Sequence, residues 1–227
     1  MCGRFTLTTS VETLVESFEL SAAPPELPPR YNIAPTQPVA AVLGDDEEQR
    51  RLALLRWGLI PAWAKDPGIG NRMINARAET VAEKPAYRAA FQRRRCLVVA
   101  DGFYEWQRLE RGKRPIYIRM ADGQPFAFAG LWEHWQGPDG SPIDSCTILT
   151  TTPNEIMYPI HNRMPVILLP EAYDLWLDPS VQAAGPLLPL LRPYPAEAMT
   201  AFPVSPLVNN PANDDPRCIV PLDEHRV

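Results

Sequence analysis

This chain is poor in the residues that metal and redox chemistry need. Of its 227 residues, three are histidine and four are cysteine. Cys2, Cys96, Cys146 and Cys218 include no C-x-x-C pair, so metal-ligand spacing is absent, and no metal or other cofactor is expected. The sequence also lacks a signal peptide, so its thiols are expected to stay reduced in a cytoplasm. Proline or charge interrupts every apolar run before the roughly 20 residues that a membrane-spanning helix requires, so no membrane role is expected. There is no internal repeat, no regular βαβ alternation and no clear internal boundary. Proline is plentiful at 27 residues, yet it is spread along the chain, with Pro24-Pro25, Pro28-Pro29 and the stretch from Pro186 to Pro206 marking irregular connections.

An excess of positive charge is missing too. The net charge of −5 speaks against a general nucleic-acid binder. The charge is unevenly placed, however: residues 1–120 hold 18 Lys/Arg against 14 Asp/Glu, and the remainder 4 against 13. From Arg56 to Arg95 nine basic residues meet three acidic ones. The run Arg93-Arg94-Arg95 reads as a solvated helical face, with a local phosphate-binding groove as the alternative.

What is present is enough apolar material, 45% of residues, for a sizeable core. Thr9 followed by Glu12 reads as a capping box, and Val11, Leu14, Val15 and Phe18 fall at helical spacing. A second helix is predicted from near Pro85 into the arginine run. Strands are predicted at Cys96–Ala100, Pro115–Met120, Pro125–Leu131, Ser145–Thr151 and Pro165–Leu169. This mixture predicts an α+β fold: one domain over residues 1–227, on a curved, barrel-like, mostly antiparallel sheet with flanking helices. Residues 205–227 form a less clearly patterned terminal segment.

Four stretches carry chemistry. In Met1-Cys2-Gly3-Arg4-Phe5, removal of Met1 would leave Cys2 with a free α-amine beside its own thiol. An α-amine, with pKa about 7.7–8, has a sizeable neutral fraction near neutral pH, whereas a lysine at about 10.4 is almost wholly protonated. Such an amine attacks an aldehyde, and the thiol can then close the imine to a five-membered thiazolidine. Cys2 equally reads as a small buried residue near a strand start. Asn75 and Arg77, two apart in NARAET, share one face if that stretch is extended, or else decorate a turn. In DGFYEW, Glu105 between Tyr104 and Trp106 suits general acid work if desolvated, or is an exposed strand-end carboxylate. Thr152-Pro153-Asn154-Glu155 predicts a short helix capped by Thr152. That helix would deliver His161 to a loop; His134 and His225 are worse placed, and a satisfied structural histidine is the ordinary alternative.

Taken together, MCGRF, RYNIAP (30–35), WGLIPAWA (57–64), NARAET, DGFYEW and IHNRMP (160–165) resemble the SRAP family, the SOS response-associated peptidase-like proteins. The motifs occur in family order from Met1 to about Pro170, with weaker resemblance through Val204 and Val208-Asn209-Asn210. The resemblance implies a DNA-damage-response protein that senses abasic sites in single-stranded DNA and crosslinks itself to them through Cys2. It implies that Asn75 orients the Cys2 terminus, that Glu105 handles protons, and that His161 assists ring opening and holds the sugar oxygen. It further implies Arg4 and Arg77 as phosphate ligands, Trp106 as a stacking surface, Thr150 as a polar backbone contact and Trp63 as a candidate wedge against bases. A monomer is expected, cytoplasmic and nucleoid-associated when bound to DNA, with lyase and (auto)peptidase side activities. Asn162 departs from the family pattern, where many relatives carry an acidic residue, so a carboxylate partner for His161 must come from elsewhere. The competing readings are a thiol peptidase or N-terminal-nucleophile hydrolase using Cys2 and His161, and a non-catalytic single-strand binding module.

Overall fold

The computed structural model describes residues 2–24, 26–44 and 49–222; Met1 and His225 lie outside the described residues. Its strands are β1 (Phe5–Leu7), β2 (Arg30–Ile33), β3 (Pro38–Gly44), β4 (Arg50–Trp57), β5 (Asn75–Arg77), β6 (Arg95–Ala100) and β7 (Gly102–Arg108). They continue with β8 (Lys113–Met120), β9 (Phe126–Gln136), β10 (Pro142–Thr151), β11 (Met164–Pro165), β12 (Ile167–Leu168) and β13 (Met199–Pro203). Strands β10, β4, β3, β6 and β9 are hydrogen-bonded in that order, and β9 pairs again with β10, which closes a five-stranded barrel. Every pairing in the ring is antiparallel except β4 with β10. A second sheet, ordered β13-β8-β7-β1-β2, is antiparallel throughout. The expected α+β fold on a curved, mostly antiparallel barrel is the fold observed.

An aromatic cluster joins the two sheets. The Phe5 ring lies 5.1 Å from Trp57 and 5.7 Å from Phe128, and Phe103 lies 5.9 Å from Phe128, all edge-on. All four side chains are fully buried. Burying a phenylalanine stabilises by roughly 1.5–3 kcal/mol, and edge-on pairs add to that. Phe5 therefore pins the start of the chain, three residues after Cys2, into the barrel wall. Asp101 fastens the other end of β1: its carboxylate accepts hydrogen bonds from the Thr6, Thr8 and Thr9 hydroxyls and the Thr8 and Thr9 N–H groups. Gly102 follows because a Cβ there would fall 2.0 Å from the Tyr117 hydroxyl.

Several local expectations are corrected. Helix α1 (Val11–Phe18) forms and buries Leu14 and Phe18, but its N-cap is Ser10, which accepts from Thr13 N–H. Thr9 is taken instead by Asp101, a tertiary partner that outcompetes the local capping box. The second helix, α2 (Arg88–Arg93), starts three residues after Pro85. Of the arginine run, Arg93 alone is exposed as a solvated face requires, and the other two turn inward. Arg94 ion-pairs with Glu133 at 2.7 Å, and Arg95 is buried with its guanidinium on the carbonyls of Phe91, Gln92, Trp176 and Asp178. The helix expected after Thr152 is a set of hydrogen-bonded turns over residues 155–160; Asn154, not Thr152, caps them, its Oδ1 accepting from Met157 N–H at 3.0 Å. The strand expected at Pro165–Leu169 is split into β11 and β12, because Val166 N–H turns aside to Leu149 O.

Candidate functional site

Both sheets deliver residues to one place. Strand β5 lies parallel to β10, with Asn75 opposite Ile148 and Arg77 opposite Thr150, so Asn75 and Arg77 face the same way as an extended segment requires. The preceding turn is fixed by Gly58, whose φ of +133° and close approach to Gly70 O leave no room for a side chain. Asn75 Nδ2 donates to Cys2 O at 2.7 Å, which ties the N-terminal segment to β5. Asn75 Oδ1 is buried with no partner among the described residues.

Glu105 sits in the middle of β7 rather than at a strand end, and is 2% exposed. Burial pushes its carboxyl above the ordinary carboxylate range, and the charge of His161 acts in the opposite direction. Cys2 is fully buried, and burial first, then the Glu105 charge, pushes its thiol up. Glu105 therefore lies within electrostatic reach of Cys2 on one side and of His161 on the other. Gln107, on the Glu105 face of β7, donates to Pro159 O at 3.2 Å and ties that strand to the turn preceding His161. His161 Nδ1 accepts from the Arg163 N–H at 3.1 Å, so a backbone group takes the position expected for an acidic partner.

On the opposite face of β7, the Arg4 guanidinium lies over Trp106 at 5.8 Å. It donates to Asn32 Oδ1 and Val208 O, both at 2.8 Å, and to Asn209 O at 3.4 Å, while Trp106 Nε1 donates to Asn209 Oδ1 at 2.7 Å. Asn32, fully buried, also donates to the carbonyls of Val208, Asn210 and Asn213. The segment after β13 is thereby strapped across Arg4 and Trp106. Asn32 was not singled out in the sequence, although it lies inside RYNIAP; its partners are too distant in sequence to be read from spacing.

Arg77 is exposed. Thr150 is fully buried, its hydroxyl directed to Ala76 O and its carbonyl accepting from Arg163, so it reaches the surface only through its neighbours. Trp63 is 63% exposed on the loop after β4, and no hydrogen bond among the described residues links it to the other candidates. Tyr158, not anticipated, is 79% exposed in the turn before His161. Among the described residues no cluster of His, Cys, Asp or Glu could hold a metal ion, and no helix is long and apolar enough to cross a membrane.

The fold and site define a class: a small barrel protein in which a near-terminal cysteine lies beside an amide and a buried carboxyl, and an imidazole faces that carboxyl. The chain belongs to the SRAP family, the SOS response associated peptidases, whose model matches residues 1–211. It is 48% identical over 222 residues to the abasic site processing protein YoqW of Bacillus subtilis, covering 96% of this chain and 99% of the relative. It is 36% identical to the abasic site processing protein HMCES of Xenopus tropicalis, covering 86% of this chain and 66% of that longer protein. Among solved structures, a protein from Bacteroides thetaiotaomicron superposes with a TM-score of 0.87 at 25% identity, over 97% of this chain and all of that one.

Proposed function

We propose that this protein senses abasic sites in single-stranded DNA and, once Met1 is removed, links itself to them through Cys2. The observation that supports this reading is the Asn75 hydrogen bond to Cys2 O beside the buried Glu105, which acts on the Cys2 thiol and is itself faced by His161. An abasic deoxyribose is in equilibrium with an open aldehyde, and the Cys2 amine adds to that carbonyl. Loss of water gives an imine; the thiol adds to the imine carbon and its proton passes to nitrogen, closing the thiazolidine. Burial holds the thiol protonated, so the amine attacks first. That order suits crosslinking better than a peptidase, which needs a thiolate at the outset.

Asn75 holds the Cys2 carbonyl, and its open Oδ1 is an acceptor for the amine. Glu105, with its raised pKa, carries a proton to and from the sugar oxygens. Arg4 and Arg77 take phosphates and Trp106 stacks on a base, while the missing base supplies the specificity. An imine that fails to close can eliminate the 3′ phosphate, giving a lyase side reaction. In this reading the protein acts as a cytoplasmic monomer that joins the nucleoid when it binds DNA.

The test is to incubate Met1-processed protein with a strand containing one abasic site and run a denaturing gel beside Cys2→Ala and Cys2→Ser. The expected result is a heat-stable band for the parent protein and, for Cys2→Ala and Cys2→Ser alike, no heat-stable band but a heat-labile imine trapped by reduction, since each keeps the α-amine and lacks the thiol. Absence of any covalent band from correctly processed parent protein would refute crosslinking and favour the peptidase.

A further inference from the structure

His161 Nδ1 lies 3.1 Å from the Arg163 N–H and 3.3 Å from the Arg163 carbonyl oxygen. One residue thus offers a donor and an acceptor to the same ring nitrogen. With the bare Nδ1 accepting the N–H, the neutral ring carries its proton on Nε2; with the ring protonated, Nδ1–H can donate to the carbonyl. Both arrangements depend on the Arg163 backbone staying where it is.

Its side chain holds it there. Arg163 Nη1 lies 2.6 Å from Glu79 Oε1 and Nη2 3.0 Å from Oε2, a two-pronged pairing, and Nη2 also donates to Thr150 O. The Arg163 side chain is 14% exposed, and the hydrogen bond from Arg163 is the main cause holding the Glu79 carboxyl below its ordinary range. Bidentate geometry of this kind fixes orientation as well as supplying energy, which a lysine cannot reproduce. Arg163 Nε is buried with no partner among the described residues, so the guanidinium is seated for the fork and the carbonyl rather than for its full set of bonds. Thr150 pairs with Arg77 near the end of β10, and Glu79 lies two residues beyond β5, in the turn Ala78–Thr80, so both adjoin the strand pair that carries Asn75. The clamp therefore registers the His161 loop against the amide that holds Cys2.

We propose that the Arg163–Glu79 pair is a positioning device for His161: it clamps the Arg163 main chain against Nδ1, so that His161 presents Nε2–H as a donor to the sugar oxygen. In this role Arg163 acts through His161 and touches no reacting atom. The assignment separates the two candidate proton handlers: His161 donates a hydrogen bond, and Glu105 accepts and returns the proton. Its consequence for rate rests on the abasic-site reading; its consequence for the tautomer does not.

The experiment labels the full-length, Met1-processed protein with 15N-histidine and reads the His161 tautomer by two-bond 15N–1H correlation. Glu79→Gln, Arg163→Lys and Arg163→Ala are compared with the parent, each checked for folding by thermal melt. The parent is expected to show Nε2–H alone. Arg163→Ala and Arg163→Lys are expected to mix in Nδ1–H, with Glu79→Gln between, and crosslinking of an abasic strand is expected to slow about tenfold for the first two. If Arg163→Ala does not fold, Glu79→Gln still reads the clamp. An Nδ1–H ring in the parent, or an unchanged tautomer in every folded variant, would overturn the proposal. A shifted tautomer in a protein that never crosslinks would sustain the clamp and refute the abasic-site reading instead.

Discussion

Glu105 concentrates the conflict between stability and chemistry in one side chain. It is 2% exposed, and burial raises its carboxyl above the ordinary value of 4.5, with His161 opposing. For a raised acid, the group's contribution to stability is complete below the ordinary value and is lost as pH climbs through the folded value. Ionised Glu105 therefore costs the folded state at neutral pH, with Cys2 and His161 as the titratable groups that face it. We predict that Glu105→Gln is more stable than the parent at pH 7–8, by on the order of 1 kcal/mol, with the advantage shrinking towards pH 5. Crosslinking should fall by about 10²-fold in the same variant, as loss of a proton carrier entails. Urea melts across that pH range, paired with crosslinking rates, measure both. A variant that is equally stable at every pH would mean that the Glu105 carboxyl is not strained by its burial.

The elements that carry the site differ in how plainly the sequence announces them. Strand β1 has only three residues, too few for a periodicity, and it holds because Phe5 meets Trp57 and Phe128. Phe5→Ala is expected to cost about 3–5 kcal/mol, and Phe5→Leu less, by denaturant melts. Where Phe5→Leu is still fully folded, crosslinking should nonetheless slow, because Cys2 hangs from the same strand; an unchanged rate would separate the cysteine from its anchor. Strands β6, β8, β9 and β10 were readable from apolar runs between Gly, Asp and Pro signals. Strands β2, β3 and β4 were not: β2 has four residues behind a Pro-rich stretch, and β4 reads RRLALLRW, whose arginines mask its alternation. The four candidate residues Cys2, Asn75, Glu105 and His161 stand in local motifs that can be read along the chain, whereas the contacts of Asn32, Glu79 and Arg163 cannot. The partners of their side chains lie from 13 to 181 positions away, as with Arg163 on Thr150 and Asn32 on Asn213, and only the folded chain brings them together.

At the scale of the whole molecule, the question is how an acidic protein holds a polyanion. The basic excess from Arg56 to Arg95 suggested a phosphate groove, yet the fold spends much of its arginine on itself. Arg94 neutralises Glu133, Arg95 satisfies two carbonyls of α2 and those of Trp176 and Asp178, Arg163 pairs with Glu79, and Arg30 pairs with Asp214. Charge counted along the sequence thus overstates charge offered to a ligand, because buried guanidinium groups are the natural donors to carbonyls that strands and short helices leave open. If Arg4 and Arg77 are the phosphate ligands, binding to an undamaged single strand should release counterions from about two phosphates. The slope of log affinity against log salt is then about −1.4, and Arg77→Ala should reduce it by about 0.7. Fluorescence anisotropy between about 50 and 200 mM salt, on a strand that offers no aldehyde and so forms nothing covalent, reads both values. A slope near −6, the value for about nine phosphates, would mean that the whole basic segment meets DNA and that the arginines now held inside must be released on binding. A flat response would remove phosphate contacts from the account and leave capture of the aldehyde as the sole source of affinity.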